Sequence, residues 1–195
     1  MTALSIRSNE VVRKAIHLSS AAIPLLYWHL FDKDTMLKGL LFISTGFLLA
    51  EYLRLRFDWA KKAFMLVFGP AIRAHEQQQL TGATFVFTGA VISIFLFPKT
   101  MAVAALLILS ISDTLAALIG IPFGRHHFFR KSVEGSLAFL ISSLLILFYF
   151  YPQAVFQNLI ISLIVTLAEA NPINLDDNFL IPILTGSLLF LSSMV

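Results

Sequence analysis

Apolar residues fall in long, nearly unbroken blocks separated by short polar intervals. The blocks run at 14–31, 36–54, 81–97, 100–121, 132–151, 154–170 and 177–194. Each is near the ~20 residues that a helix needs to cross a bilayer. The pattern therefore predicts an all-α fold, a polytopic membrane bundle of about seven transmembrane helices. A shorter piece, "AFMLVFGPAI" at 63–72, ends near Gly69-Pro70 and is too short to span, so it is expected to be re-entrant or interfacial. No polar interval is long enough to fold by itself, and residues 1–195 are read as one integral membrane domain.

Composition agrees: 58% of residues are hydrophobic, 13% are charged, and mean hydropathy is +0.85. A water-soluble domain carries far more charge on its surface. The chain has no cysteine, which excludes disulfides and thiolate metal sites. The opening "MTALSIRSNEVVRKAIHLSS" resembles a signal peptide, but its apolar run continues to Phe31 without a small-residue cleavage site, so a retained first helix is expected.

The positions of lysine and arginine set the orientation. With the N-terminus cytoplasmic, Arg7, Arg13, Lys14, Arg54, Arg56, Lys61, Lys62, Arg73, Arg125, Arg130 and Lys131 lie inside, and only Lys33, Lys38 and Lys99 lie outside. Cytoplasmic loops carry such an excess of positive charge. The unusual polar residues then gather at the cytoplasmic face: His17, Glu51, Arg73, Glu76, Asp113, Lys131, Glu134, Glu169, Asn171, Asp176, Asp177 and Asn178. The outer turns "FDKDT", "FPKT" and "FYPQ" are short and plain. Any chemistry is expected on the cytoplasmic side, with the bilayer as partner and no nucleic acid.

Asp113 interrupts the apolar run "LLILSISDTLAALIG". An aspartate at mid-bilayer costs about 2.5–3.5 kcal/mol, so its side chain must face a partner or a wet cavity. Asp113, Ala116, Gly120 and Gly124 recur at helical spacing as a face of small residues. Such a face serves close helix packing, or lets a bulky anion approach the backbone. The loop "GRHHFFRKSVEGS" follows. Ser132 suits a helix N-cap, where free N–H groups and Lys131 would attract phosphate. Arg125 and Arg130 suit the same anion or lipid headgroups. Carboxylates at Asp113 and Glu134 could hold Mg²⁺, which takes one or two acids plus substrate phosphates.

Three other clusters join this one. "AEANPINLDDNFLIP" places Glu169 at one helix end and Asp176, Asp177 and Asn178 at the next helix start, as a cap or as ligands for a hard cation. "RAHEQQQLTGATF" offers Arg73 and Glu76 as a surface pair, whereas Glu51 with Arg54 reads as structural. "RKAIH" sets Arg13 and Lys14 at the membrane surface, as topology anchors or anion ligands, with His17 just inside.

Together these pieces resemble the membrane family of dolichol kinase, phytol kinase and CTP-dependent diacylglycerol kinase, from Arg13 to about Pro182. The likeness rests on Asp113, Ala116, Gly120, Gly124, Arg130-Lys131-Ser132, Glu134-Gly135-Ser136 and Ala138, on Arg13, Lys14 and His17, and on Asp176, Asp177, Asn178, Ile181 and Pro182. Ser112 stands where relatives often have glycine. The resemblance implies transfer of a phosphoryl group from CTP to a lipid alcohol: a polyprenol, a phytol-type isoprenoid or a diacylglycerol. It also implies that Arg13, Lys14, Gly120, Gly124, Arg130, Lys131, Ser132, Glu134 and Gly135 bind the nucleotide. Mg²⁺ would sit on Asp113, Glu134 and Asp177, with Asp113 or His17 taking the hydroxyl proton. The absence of a Walker-type loop agrees. Two alternatives stay open: a phosphatidate cytidylyltransferase that makes CDP-lipid, and a small proton- or cation-coupled transporter using Asp113 and Glu169.

Overall fold

In the computed structural model, residues 13–73, 75–171 and 175–194 are described. The N-terminal charge Arg7 lies outside them. Nearly all secondary structure is helical: α1 (13–19), α2 (Ala22–His29), α3 (Lys33–Arg56), α4 (Asp58–Phe68), α5 (Gly82–Leu96), α6 (Lys99–Leu107), α7 (Asp113–Phe123), α8 (Val133–Phe150), α9 (Val155–Ala170) and α10 (Asp177–Ser192). Short 3₁₀ turns at Gly69–Ala71 and His75–Gln77 join α4 to α5.

The apolar blocks recur as these helices, with two differences. The first block is not one helix but α1 and α2, with a turn at Ser20-Ala21. Pro24 is the physical cause: lacking an N–H, it cannot bond the carbonyl of Ser20, which accepts from Ile23 N at 3.0 Å instead. The piece expected at 63–72 belongs to a helix that begins earlier, at Asp58, and stops where Gly69 was expected to end it. Its Trp59, Leu66 and Val67 are exposed, which suits a helix lying along a membrane surface.

Among the described residues, three helices are long and apolar enough to cross a bilayer: Lys33–Arg56, the continuous rod Lys99–Phe123, and Val133–Phe150. Helices α5, α9 and α10 are also apolar and have 15, 16 and 16 residues. Large apolar side chains such as Phe42 and Phe156 face outward at 83% and 74% exposure. A water-soluble surface does not present such a belt; this is an integral membrane protein.

The rod formed by α6 and α7 is the central element. About 72% of its apolar stretch is buried, against 22% for α3 and 33% for α8. One apolar cluster joins it to α2, α3 and α5 through Tyr27, Leu40, Ile94 and Val103. A second joins it to α8, α9 and α10 through Ile108, Phe139, Val165 and Ile181. Between α6 and α7 the rod widens into a π turn, Ile108–Ser112, immediately before Asp113. Such turns are frequent at functional sites. Here Leu109 O accepts from His17 Nε2 at 3.1 Å and Ser110 O from Thr114 Oγ1 at 2.7 Å.

A hairpin links α7 to α8, with β1 (His127–Phe128) paired antiparallel to β2 (Lys131–Ser132). Its turn forces Phe129 to φ 50°, which costs a non-glycine residue about 1–3 kcal/mol. Arg130 N offsets this by donating to Ala170 O at 3.3 Å, docking the hairpin on the end of α9. Ser132 then caps α8, its Oγ accepting from Gly135 N at 3.1 Å.

A candidate active site at the hairpin end of the bundle

The carboxylate in the rod has both a partner and a cavity. Lys14 and His17, one helical turn apart, present the same face of α1 to Asp113. Lys14 Nζ forms an ion pair with Asp113 Oδ2 and also donates to Asp113 O at 3.3 Å. His17 Nε2 lies 3.2 Å from Asp113 Oδ2. Only 7% of Asp113 is exposed, and this cluster offsets part of the cost of burying it.

Lys131 forms the second charged centre. Strand β2 carries its Nζ to 2.7 Å from Glu169 Oε1 and 3.4 Å from Asp177 Oδ2, tying the hairpin to the end of α9 and the start of α10. Burial acts against its charge. The carboxylates of Glu169, Asp113 and Asp177 outweigh that and hold the ammonium above the ordinary lysine range. Asp176 caps α10, its Oδ1 accepting from Asn178 N at 2.9 Å. Asn178 Nδ2 donates to Gly82 O at 3.3 Å and so fastens α10 to α5.

The small-residue face of α7 is used for packing. A methyl on Gly120 would come within 2.9 Å of Ser132 Oγ and 3.2 Å of Gly135 Cα, and one on Gly135 within 2.8 Å of Ala116 O. Backbone meets backbone there, as small-residue faces allow. Gly120, Gly124 and Gly135 also line a cavity, so the face that packs against α8 is in part open to a ligand.

Two expectations about acids change. Glu134 does not line that cavity with Asp113. Its Oε1 lies 2.9 Å from His126 Nδ1 on the loop side. Successive helical residues project about 100° apart, and because Gly135 faces α7, Glu134 cannot. Nor is Glu76 half of a surface pair. It is 5% exposed and staples the chain, Oε2 accepting from Arg73 N at 2.7 Å and Oε1 from Gly82 N at 3.0 Å. Glu51 with Arg54 is structural, as expected. Both are buried, and together they hold the segment before α5.

Two cavities meet at Asp113. The first, about 370 Å³, is charged; Arg125, Arg130, Lys131, Glu169, Asp176 and Asp177 line it beside the glycines. The second, about 440 Å³, is mainly apolar; Ile23, Phe47, Phe64, Phe68, Val86 and Phe87 line it with His17 and Glu76. Arg13, Lys14, Arg73, Asp113 and Asn178 belong to both walls. Sizes in this range suit small ligands. The apolar cavity had no local sequence signal, because its phenylalanines come from α3, α4 and α5, far apart along the chain.

Among the described residues, no three His, Asp or Glu side chains form a ready-made metal cage. Mg²⁺ seldom needs one, since it binds through one or two carboxylates and the substrate's phosphates. Asp113 and Asp177 both line the charged cavity, so the donor set fits a cation that arrives with a polyphosphate.

No family model and no solved structure matches the chain. Among curated proteins, an uncharacterized protein of Rickettsia prowazekii is 36% identical over 73% of this chain and 72% of its own. "CTP-dependent diacylglycerol kinase 1" of Schizosaccharomyces pombe is 27% identical over 95% of this chain and 94% of its own. A protein of Oryza sativa named "Probable phytol kinase 2, chloroplastic" is 25% identical over 91% of this chain and 66% of its own. Kinases named for two different lipid alcohols thus align with almost the whole chain, the Asp113 rod included, and the chain belongs to the family of CTP-dependent lipid kinases.

Proposed function

We propose that the protein transfers the γ-phosphate of CTP to the hydroxyl of a membrane lipid alcohol: a polyprenol, a phytol-type isoprenoid or a diacylglycerol. One observation carries this reading. A charged cavity suited to a polyphosphate and an apolar cavity suited to a lipid chain share a wall at Asp113, Lys14 and Arg13. Phosphoryl transfer needs little from a protein beyond alignment and neutralisation of charge.

The triphosphate lies along the glycine seam of α7 and α8, where Lys131 and the capped start of α8 face it. Arg125 and Arg130 attract it from the loop. The lipid chain occupies the phenylalanine-lined cavity, which brings its hydroxyl to the shared wall. The lipid oxygen bonds to the γ-phosphorus as the bond from that phosphorus to the β-phosphate oxygen breaks. The hydroxyl proton passes to the Asp113–His17 pair, and CDP leaves. Asp113 and Asp177 would hold Mg²⁺, which supplies further neutralisation of the triphosphate. The nucleotide enters from the cytoplasm and the alcohol arrives sideways through the bilayer.

The test uses purified protein in nanodiscs with γ-labelled CTP, ATP as competitor and a panel of lipid alcohols. The expected products are labelled lipid phosphate and CDP. Release of pyrophosphate with CDP-lipid would replace this reading with a cytidylyltransferase.

A further inference from the structure

The segment that enters α5 is held with unusual firmness for a polar loop. Arg54 ion-pairs with Glu51, both from α3, and donates to the carbonyls of Glu76 at 2.9 Å and Gln79 at 2.7 Å. Glu51 accepts from Thr81 N at 3.1 Å and from Thr81 Oγ1 at 2.6 Å. The side chains of both are 0% exposed. Burying an ion pair costs desolvation that the pair seldom recovers in stability alone, so the network invites another explanation.

What the network presents is Arg73. Its backbone N–H is fixed by Glu76, whereas its exposed guanidinium makes no hydrogen bond or ion pair with any described residue. Asp176 and Asp177 attract it from longer range. Lys14, also on the shared wall, is already bound to Asp113. Arg73 therefore stands on the wall between the two cavities with a pinned backbone and five donors to give.

We propose that Arg73 is a catalytic residue of the transfer, grasping the phosphoryl group as it crosses from the charged cavity to the apolar one. The inference rests on the kinase reading above. Arg73 makes and breaks no bond: while the lipid oxygen joins the γ-phosphorus and CDP departs, its planar fork neutralises the equatorial oxygens. A guanidinium placed in this way in other phosphoryl transfers contributes 10³–10⁵ in rate, and lysine cannot supply the paired donors.

The experiment compares wild type, Arg73→Ala, Arg73→Lys and the remote Lys62→Ala in nanodiscs, measuring CTP binding at equilibrium and lipid phosphorylation separately. Arg73→Ala is expected to lower kcat by about 10³ while the Kd for CTP moves less than about threefold. Arg73→Lys is expected to lose at least about tenfold, and guanidinium ion to restore part of the Ala variant's rate but none of the Lys variant's. Lys62→Ala should behave as wild type. A kcat for Arg73→Ala within about threefold of wild type overturns the inference. So does a loss of CTP affinity that matches the loss of rate without guanidinium rescue. If the Ala variant fails to fold, the Lys variant decides by the same comparison. Wild-type protein that phosphorylates no alcohol defeats the kinase reading, and this inference with it; an active wild type with an active Ala variant defeats only the inference.

Discussion

At the scale of single residues, most of the behaviour turns on which charges are committed to one another. Asp113→Asn keeps the shape of the side chain but removes the charge that Lys14 and His17 face. Lipid phosphorylation should fall by about 10³ or more, because both cavities lose the group at their junction. The variant should also unfold more easily in detergent, since a buried lysine left without its anion costs a few kcal/mol; retained turnover would show that the chemistry lies elsewhere. Lys131 can be placed in pH. Its folded-state pKa lies above the ordinary lysine value, so its charge, and the stability that the charge contributes, is complete below about pH 10 and is lost only as pH rises through the raised value. Between pH 6 and 9 no change in CTP binding should trace to this group, and Lys131→Met should bind CTP at least about tenfold more weakly throughout, since a charge-assisted contact to phosphate is worth about 1.5–3 kcal/mol. The residues themselves were legible in the sequence, because an acid in an apolar run and a basic pair beside a helix start are both conspicuous. Their pairing was not. Glu134 and Asp177 looked equally suited to stand near Asp113, and only the direction of each side chain separates them.

At the scale of elements, the apolar blocks foretold the helices, and the departures have local causes. Pro24 splits the first helix, a proline effect visible in the sequence but hidden inside a long apolar run. The π turn carries no composition of its own and could not have been read. The glycines make the clearest test of helix packing. Gly135→Ala drives a methyl against the backbone oxygen of Ala116, 2.8 Å away, and should lower stability by about 1–3 kcal/mol. Gly46 lies within α3 with nothing within 4 Å of such a methyl, so Gly46→Ala should be neutral or stabilising by up to about 1 kcal/mol. Thermal unfolding of both variants in one detergent checks the contrast.

At the scale of the whole molecule, the charged cavity, the hairpin and the helix ends that carry Glu169 and Asp177 occupy one end of the bundle, and the short turns lie at the other. The placement of lysine and arginine predicts that the first end faces the cytoplasm. The natural absence of cysteine makes this simple to check. A cysteine at Arg125 should react with a membrane-impermeant maleimide only from the cytoplasmic side, and one at Lys99 only from the opposite side; the reverse pattern would invert the molecule. The meeting of two cavities is a property of this scale alone. It depends on α1, α3, α4 and α5 closing against the rod, and no stretch of sequence announces it.

The π turn before Asp113 has a further consequence. A turn of this kind amounts to one surplus residue absorbed by a helix without twisting the parts on either side out of register. Removing Ile111 should therefore let the rod close into a regular spiral whose two halves still meet their old neighbours, leaving a protein that assembles normally. What it would forfeit is the loose carbonyl that steadies His17, so a shortened chain that is sound in architecture and poor in turnover would mark that surplus residue as kept for chemistry.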